Sequence, residues 1–172
     1  MKTHKQRFVP YRRKLSGRTN YKKRLKMLVS GSTRLVVRKT NKNIIVQFVD
    51  YSDKGDRVIV TTNSTELKKL GWVFATGNLP AAYLTGLIAG QKAKTKKVND
   101  AIVDLGLQTP SHGSRLYAAI KGTVDAGVKI ACSDEAFPSE DRLKGKHIAD
   151  YNKKATDIQK AFDNVKAKIL KS

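Results

Sequence analysis

The stretch Arg34 to Asp50, RLVVRKTNKNIIVQFVD, constrains the fold more than any other, because two β-rich runs meet at Asn41-Lys42. Asn tolerates positive φ, so these two residues can close a two-residue turn that pairs Thr40 with Asn43, Arg38 with Ile45 and Val36 with Gln47. Alternation along the strands then collects Leu35, Val37, Ile44, Val46 and Phe48 on one face, which reads as core. The other face presents Arg34, Arg38 and Gln47 among Val36, Ile45 and Val49, with Lys39 and Lys42 near the tip. On its own this pattern fits a half-solvated outer strand face as well as a platform for something negatively charged.

Charge favours the second reading. The formal net charge is +21, from 35 Lys and Arg against 14 Asp and Glu, far beyond what solubility requires. It is also uneven: residues 1–49 hold 15 Lys and Arg and no acid. A nucleic acid is the expected partner, contacted by the N-terminal third. The single cysteine, Cys132, cannot form an internal disulfide, and no Cys/His cluster has metal-ligand spacing, so neither metal nor cofactor is expected and the compartment should be reducing. No apolar run approaches the roughly 20 residues a bilayer span needs, and no secretory signal is evident, so a soluble, intracellular protein with no membrane partner is expected.

Before the hairpin, Met1 to Ser16 reads as an extended basic arm that orders on its ligand: Lys2, Lys5, Arg7, Arg12, Arg13 and Lys14 interleaved with Phe8, Tyr11 and Leu15, with Pro10 blocking a continuous helix. A helix is expected over Thr19 to Val29, capped by Thr19 or Asn20, with Tyr21, Leu25, Leu28 and Val29 inward and Lys22, Lys23, Arg24 and Lys26 outward. After it, Arg57 to Thr62 makes a third strand of an antiparallel meander. Ser64 or Thr65 caps a short helix ending near Gly71. Asn78 caps a longer one that runs to about Ala93, with Pro80 in its first turn. Its Ala81, Ala82, Gly86, Ala89 and Gly90 let another backbone approach closely and pack the helix flat on the sheet.

Ala101 to Leu107 is a candidate buried strand reached by a crossover and parallel to a neighbour. A helix from Gly113 or Ser114 through Ala126 follows, stopped by Gly127, and Val128 to Ala131 makes a last strand. The fold class is therefore α/β, a mixed sheet with flanking helices. Residues 133–172 read as a C-terminal extension, set apart from a 31–132 core domain and a 1–30 basic arm and helix. In the extension Ile148, Tyr151, Ala155, Ile158, Phe162, Val165 and Ile169 alternate steps of three and four along one helix, and the stripe buries against the protein's own domain or a partner.

Catalysis finds little support. Asp104 is a lone carboxylate, better read as hydrogen-bonded structure than as a metal ligand, and His4, His112 and His147 are too dispersed for zinc. No nucleophile and base pair or phosphate-binding glycine loop stands out, and no small-molecule substrate is expected. The basic N-terminal third, by contrast, has a single sign of charge with aromatics interleaved, the combination that neutralises phosphates and stacks on bases.

Taken together, RTNYKKRLKML (Arg18 to Leu28), RLVVRKTNKNI, GDRV (Gly55 to Val58), GNLPAAYLTGLIAGQKA (Gly77 to Ala93), DLGL (Asp104 to Leu107), SRLYAAIKGTVDAGV (Ser114 to Val128) and RLKGKHI (Arg142 to Ile148) resemble a known family. It is that of the large-subunit ribosomal protein numbered eighteen in the universal scheme, in its archaeal and eukaryotic form. The chain departs from that family's usual Asp at Asn20 and its usual Pro-His at Ala131-Cys132. The resemblance implies a ribonuclease-H-like topology and a cytoplasmic protein of the central protuberance, with 5S ribosomal RNA, large-subunit ribosomal RNA and neighbouring ribosomal proteins as partners. A nuclease on that topology would need carboxylates on the first strand, and RLVVRKT has none. A non-ribosomal architectural DNA-binding protein is the alternative. The RNA contacts expected on the ribosomal reading are Lys2, His4, Lys5, Arg7, Tyr11, Arg12, Arg13 and Lys14 of the arm, Arg18, Thr19, Asn20, Tyr21, Lys22, Lys23 and Arg24 at the first helix, Arg34, Arg38, Lys39, Asn41, Lys42 and Gln47 of the hairpin, and Arg142, Lys144, Lys146 and His147 of the extension.

Overall fold

A computed structural model describes residues 9–152 and 155–171. The expected contacts Lys2, His4, Lys5 and Arg7 lie outside the described residues. Two basic helices come first, α1 (Arg12–Leu15) and α2 (Tyr21–Val29). The described end of the arm is thus one helical turn rather than extended chain.

The hairpin forms in the expected register. Strand β1 (Arg34–Lys39) pairs antiparallel with β2 (Ile44–Asp50), setting Arg38 opposite Ile45 and Val36 opposite Gln47, and the Thr40 N–H donates to the Asn43 carbonyl at 2.8 Å across the turn. β3 (Arg57–Asn63) completes the meander along β2, with an irregularity between Phe48 and Val49. β4 (Asp100–Asp104) then lies parallel to the other edge of β1, and the two-residue β5 (Lys129–Ile130) lies parallel to β4. The result is an open five-stranded mixed sheet in the order β3-β2-β1-β4-β5.

One sheet face carries the core, where Leu35, Val37, Ile44, Val46 and Phe48 are fully buried. Helix α3 (Leu79–Thr95) covers it, started as expected by Asn78, whose side chain accepts the Ala81 N–H at 2.9 Å. Its small residues admit α4 (Arg115–Asp125) as well as the sheet. A β-carbon on Gly86 would press into the Ala119 carbonyl, and one on Gly122 of α4 into the Tyr83 carbonyl. The 3₁₀ helix Ser64–Leu70 is capped by Asn63 rather than by Ser64 or Thr65. Asn63 accepts from Thr65 while Glu66 reaches back to the Asn63 N–H, the reciprocal box that an N-x-x-E spacing encodes.

After β5 come α5 (Glu140–Leu143), α6 (Lys146–Tyr151) and α7 (Ile158–Lys171). The apolar stripe therefore spans two helices. Ile158, Phe162, Val165 and Ile169 join the main core, with the Phe162 ring 5.5 Å from Tyr83 of α3, and Ala155 is buried as well, whereas Tyr151 is 93% exposed.

Candidate nucleic-acid interface

The opposite sheet face is not simply solvated, because α2 lies over it. Asn20 is the residue that caps α2, accepting the Lys23 N–H at 3.1 Å, and Arg13 is tied back by donating to the Thr19 hydroxyl at 2.8 Å. The Tyr11 and Tyr21 rings sit 5.0 Å apart, joining the arm to the helix. None of the nine residues of α2 is buried, and the expected inward face is wrong at two positions: Leu25 is 63% exposed and Val29 79%. Tyr21, Arg24, Met27 and Leu28 are the half-buried residues instead. An ion pair joins these contacts in holding the helix down: Arg24 Nη2 donates to Asp56 Oδ1 at 2.8 Å.

Asp56 also meets Arg34, whose Nη2 lies 2.8 Å from its Oδ2, while Arg34 Nη1 reaches Asp104 Oδ2 at 3.2 Å. Arg34 is 2% exposed, so the expectation of a guanidinium displayed on the outer face is corrected. Val36 and Val49 beside it are buried too. Desolvation forces a charge so placed to find partners, and two carboxylates supply them. Asp104 further accepts the Gly106 N–H at 2.9 Å, which makes it the hydrogen-bonded structural carboxylate expected. The hydrogen bond from Arg24, with Arg34 behind it, holds the Asp56 carboxyl below its ordinary range against the opposing effect of burial.

Between α2 and the sheet this leaves a cleft of about 550 Å³. Of the sequence-predicted residues it brings together Arg13, Arg18, Thr19, Asn20, Tyr21, Lys23, Arg24, Arg34, Arg38 and Gln47. Asp56, Val58, Asp104, Gly106 and Leu107 also line it and were not foreseen as site residues, since each comes from a loop or strand distant in sequence. Gln47 donates to the Thr61 hydroxyl at 3.1 Å, so its amide is held in place on the sheet. Arg38 is exposed where β1 leaves the buried network.

Tyr11, Arg12, Lys14 and Lys22 sit on α1 and α2 or next to them but do not line the cleft. Lys39, Asn41 and Lys42 are exposed at the hairpin tip, whose strand end is clamped by Gln108: its Oε1 accepts the Lys39 N–H at 3.0 Å and its Nε2 donates to the Val37 carbonyl at 2.9 Å. Arg142, Lys144, Lys146 and His147 stand apart on α5 and α6 and the link between them, Lys146 bound to Asp141 at 3.3 Å. Partial burial and then the nearby Arg142 lower the pKa of His147. Among the described residues no group of three or more His, Cys, Asp or Glu is placed to hold a metal ion, and no helix is long and apolar enough to cross a membrane.

A cleft floored by the sheet and walled by guanidinium and phenol groups defines the class: an α/β protein with a cationic groove on its outer sheet face. Comparison with known proteins is narrower. Residues 5–102 match the model of the ribosomal large subunit proteins described as 60S L5 and 50S L18. The chain is 48% identical over 171 residues to the large ribosomal subunit protein uL18 of Methanoregula boonei, covering 99% of this chain and 98% of the relative. It is 46% identical to that of Methanothrix thermoacetophila (94% and 95% covered) and 49% identical to that of Korarchaeum cryptofilum (85% and 75% covered). The chain belongs to this uL18 family of large-subunit ribosomal proteins. Its place is the large subunit of the ribosome, as a structural constituent rather than an enzyme, with ribosomal RNA and ribosomal proteins as partners.

Proposed function

We propose that the protein binds 5S ribosomal RNA in the cleft between α2 and the outer sheet face, and anchors it to the large-subunit RNA of the central protuberance. The observation that carries this reading is the cleft itself. Arg13, Arg18, Lys23 and Arg38 converge there, and among the described residues no carboxylate pairs with them, whereas Arg24 and Arg34 are already held by Asp56 and Asp104. The first four are available to phosphates and the last two fix the walls. Tyr21 offers a ring for stacking, and residues 2–14 add further positive charge to the N-terminal third in sequence. The strand order, with an antiparallel meander continued by two parallel strands, supports a ribonuclease-H-like reading of the fold.

The test is 5S RNA binding measured across a salt series, with duplex DNA of equal charge as competitor. Four neutralised phosphates set a slope of log K against log salt of at least about −3, steeper with the arm engaged. A flat dependence, or duplex DNA competing as well as 5S RNA, overturns the reading.

A further inference from the structure

An acid lines the basic cleft. Asp56 stands immediately before β3 among guanidinium and ammonium groups, where its charge repels any phosphate that enters. Both of its carboxylate oxygens are engaged by the protein: Oδ1 accepts from Arg24 Nη2 and Oδ2 meets Arg34 Nη2, each at 2.8 Å. Used in this way, the carboxylate is a joint between α2 and the sheet.

Other ties on α2 are few. It buries no residue, and Tyr21, Arg24, Met27 and Leu28 are only half-buried. Among the described residues, the contact from Arg24 to Asp56 is the one side-chain hydrogen bond that α2 makes to the sheet and its loops. The chain enters by Gly17 and leaves by Gly31, both left-handed at φ 62° and 66°, and at neither does anything lie within 4 Å of where a β-carbon would stand. Packing therefore does not clamp the ends of the segment. The sheet side of the joint is firm by contrast. Arg34 is 2% exposed and is held from its other side by Asp104, which also accepts the Gly106 N–H at 2.9 Å.

The position of α2 matters because the unpaired cations of the cleft sit on both of its sides. Arg18 and Lys23 come from α2 and the turn before it, and Arg38 comes from β1. A helix that samples several positions brings these charges together in only a fraction of molecules, and affinity for a polyanion falls by that fraction.

We propose that Asp56 is a positioning residue for polyanion binding: it touches no ligand, and by bridging Arg24 to Arg34 it holds α2 where Arg18 and Lys23 converge with Arg38. That the polyanion is 5S RNA rests on the reading given above; the hold on α2 does not. Charge alone predicts the opposite effect, since deleting an acid from a basic cleft strengthens its attraction for phosphates.

Two measurements on the full-length wild type, Asp56→Asn and Arg24→Gln test this. Arg34 keeps Asp104 in both variants, so its buried charge is not stranded. In the first, spin labels are carried by Lys26→Cys and Val73→Cys, both at exposed positions, in a Cys132→Ser background, and the distance between them is measured in the free protein. The distribution should be narrow with Asp56 and Arg24 present and broad in either variant. An equally narrow distribution in the variants overturns the hold on α2. In the second, 5S RNA binding is followed across a salt series. Asp56→Asn should bind about tenfold more weakly at every salt concentration, as for a helix in place in about a tenth of molecules, with the slope unchanged because no phosphate contact is removed. Binding as tight as the wild type, or tighter, overturns the proposal. If Asp56→Asn does not fold, Arg24→Gln decides: a similar loss at unchanged slope supports the joint, whereas a slope shallower by about one marks Arg24 as a phosphate contact and overturns it. Wild-type protein that does not bind 5S RNA at all refutes the proposed function, and the label distances still decide whether Asp56 holds α2.

Discussion

Replacing Gly86 with Ala should destabilise the protein, although helix propensity alone says the opposite. In a solvent-facing helix interior the change stabilises by about 1 kcal/mol. Gly86 instead faces α4 at backbone distance: an added methyl would overlap the Ala119 carbonyl oxygen and stand 2.8 Å from its carbon. Backbone atoms cannot rotate away, so α3 and α4 must move apart along an interface where Ala82, Leu116 and Ala119 are fully buried. Overpacking of this kind costs about 1 to 3 kcal/mol, and a clash with main chain takes the upper end. Subtracting the propensity gain leaves a net loss of about 2 kcal/mol, or roughly 4 to 8 °C in Tm for a chain of this size. Urea unfolding followed by circular dichroism measures it. Gly122→Ala, which drives a methyl toward the Tyr83 carbonyl, should behave alike, and the double variant should lose less than the sum because one separation relieves both clashes. Gly86→Ala as stable as the wild type, or more stable, would refute the close helix contact.

The two faces of the hairpin should separate binding from stability. Arg38→Ala should weaken RNA binding and leave unfolding unchanged, whereas Val46→Ala, at a fully buried position, should cost on the order of 1 to 3 kcal/mol and spare binding in the folded protein; the reverse pattern would mean the register is off by one. Deleting residues 1–15 should leave Tm nearly unchanged, since no residue of α1 is buried, and should reduce RNA affinity; a truncated chain that fails to fold refutes the division. Because Arg24 and Arg34 depress the Asp56 carboxyl below its ordinary value of 3.8, that contribution to stability is present above this pH and lost as the pH falls through the depressed value. Asp56→Asn should therefore flatten part of the acid limb below about pH 4; superimposable urea midpoints for the two proteins at every pH would contradict the ion pair.

Elements whose determinants are local were legible. Period-two alternation around Asn41-Lys42 set the hairpin register, and the spacing of Asn78, Pro80 and the small residues defined α3, because cap, turn and stripe are all encoded within a few residues of where they act. The same kind of signal was present and misread at Asn63, where N-x-x-E outranks the adjacent Ser64 and Thr65. The terminal stripe was read as one helix because periodicity persists across a break. Its pattern identified the buried residues from Ala155 onward but not Tyr151, which is solvent-exposed at the end of α6.

The cleft was legible only as charge. Arg34 and Arg38 share a strand face four residues apart, yet one is buried and the other exposed, and nothing in RLVVRK distinguishes them. The distinction comes from Asp56 at the mouth of β3 and Asp104 at the end of β4, which the fold brings to opposite sides of Arg34. The face that α2 presents follows from the same contact. Apolar weighting turned Leu25 and Val29 inward, whereas the Arg24 ion pair with Asp56 turns them out. In a chain carrying +21, packing a basic helix over a basic strand works against their mutual repulsion, and Asp56 offsets it by bridging Arg24 of α2 and Arg34 of β1, with Asp104 holding Arg34 from its other side. The Asp56 bridge therefore ties α2 to the sheet and leaves Arg13, Arg18, Lys23 and Arg38 as the basic residues of the lining that no carboxylate engages among the described residues. A polyanion entering there meets a groove already held open and need not pull apart the ion pairs that shape it.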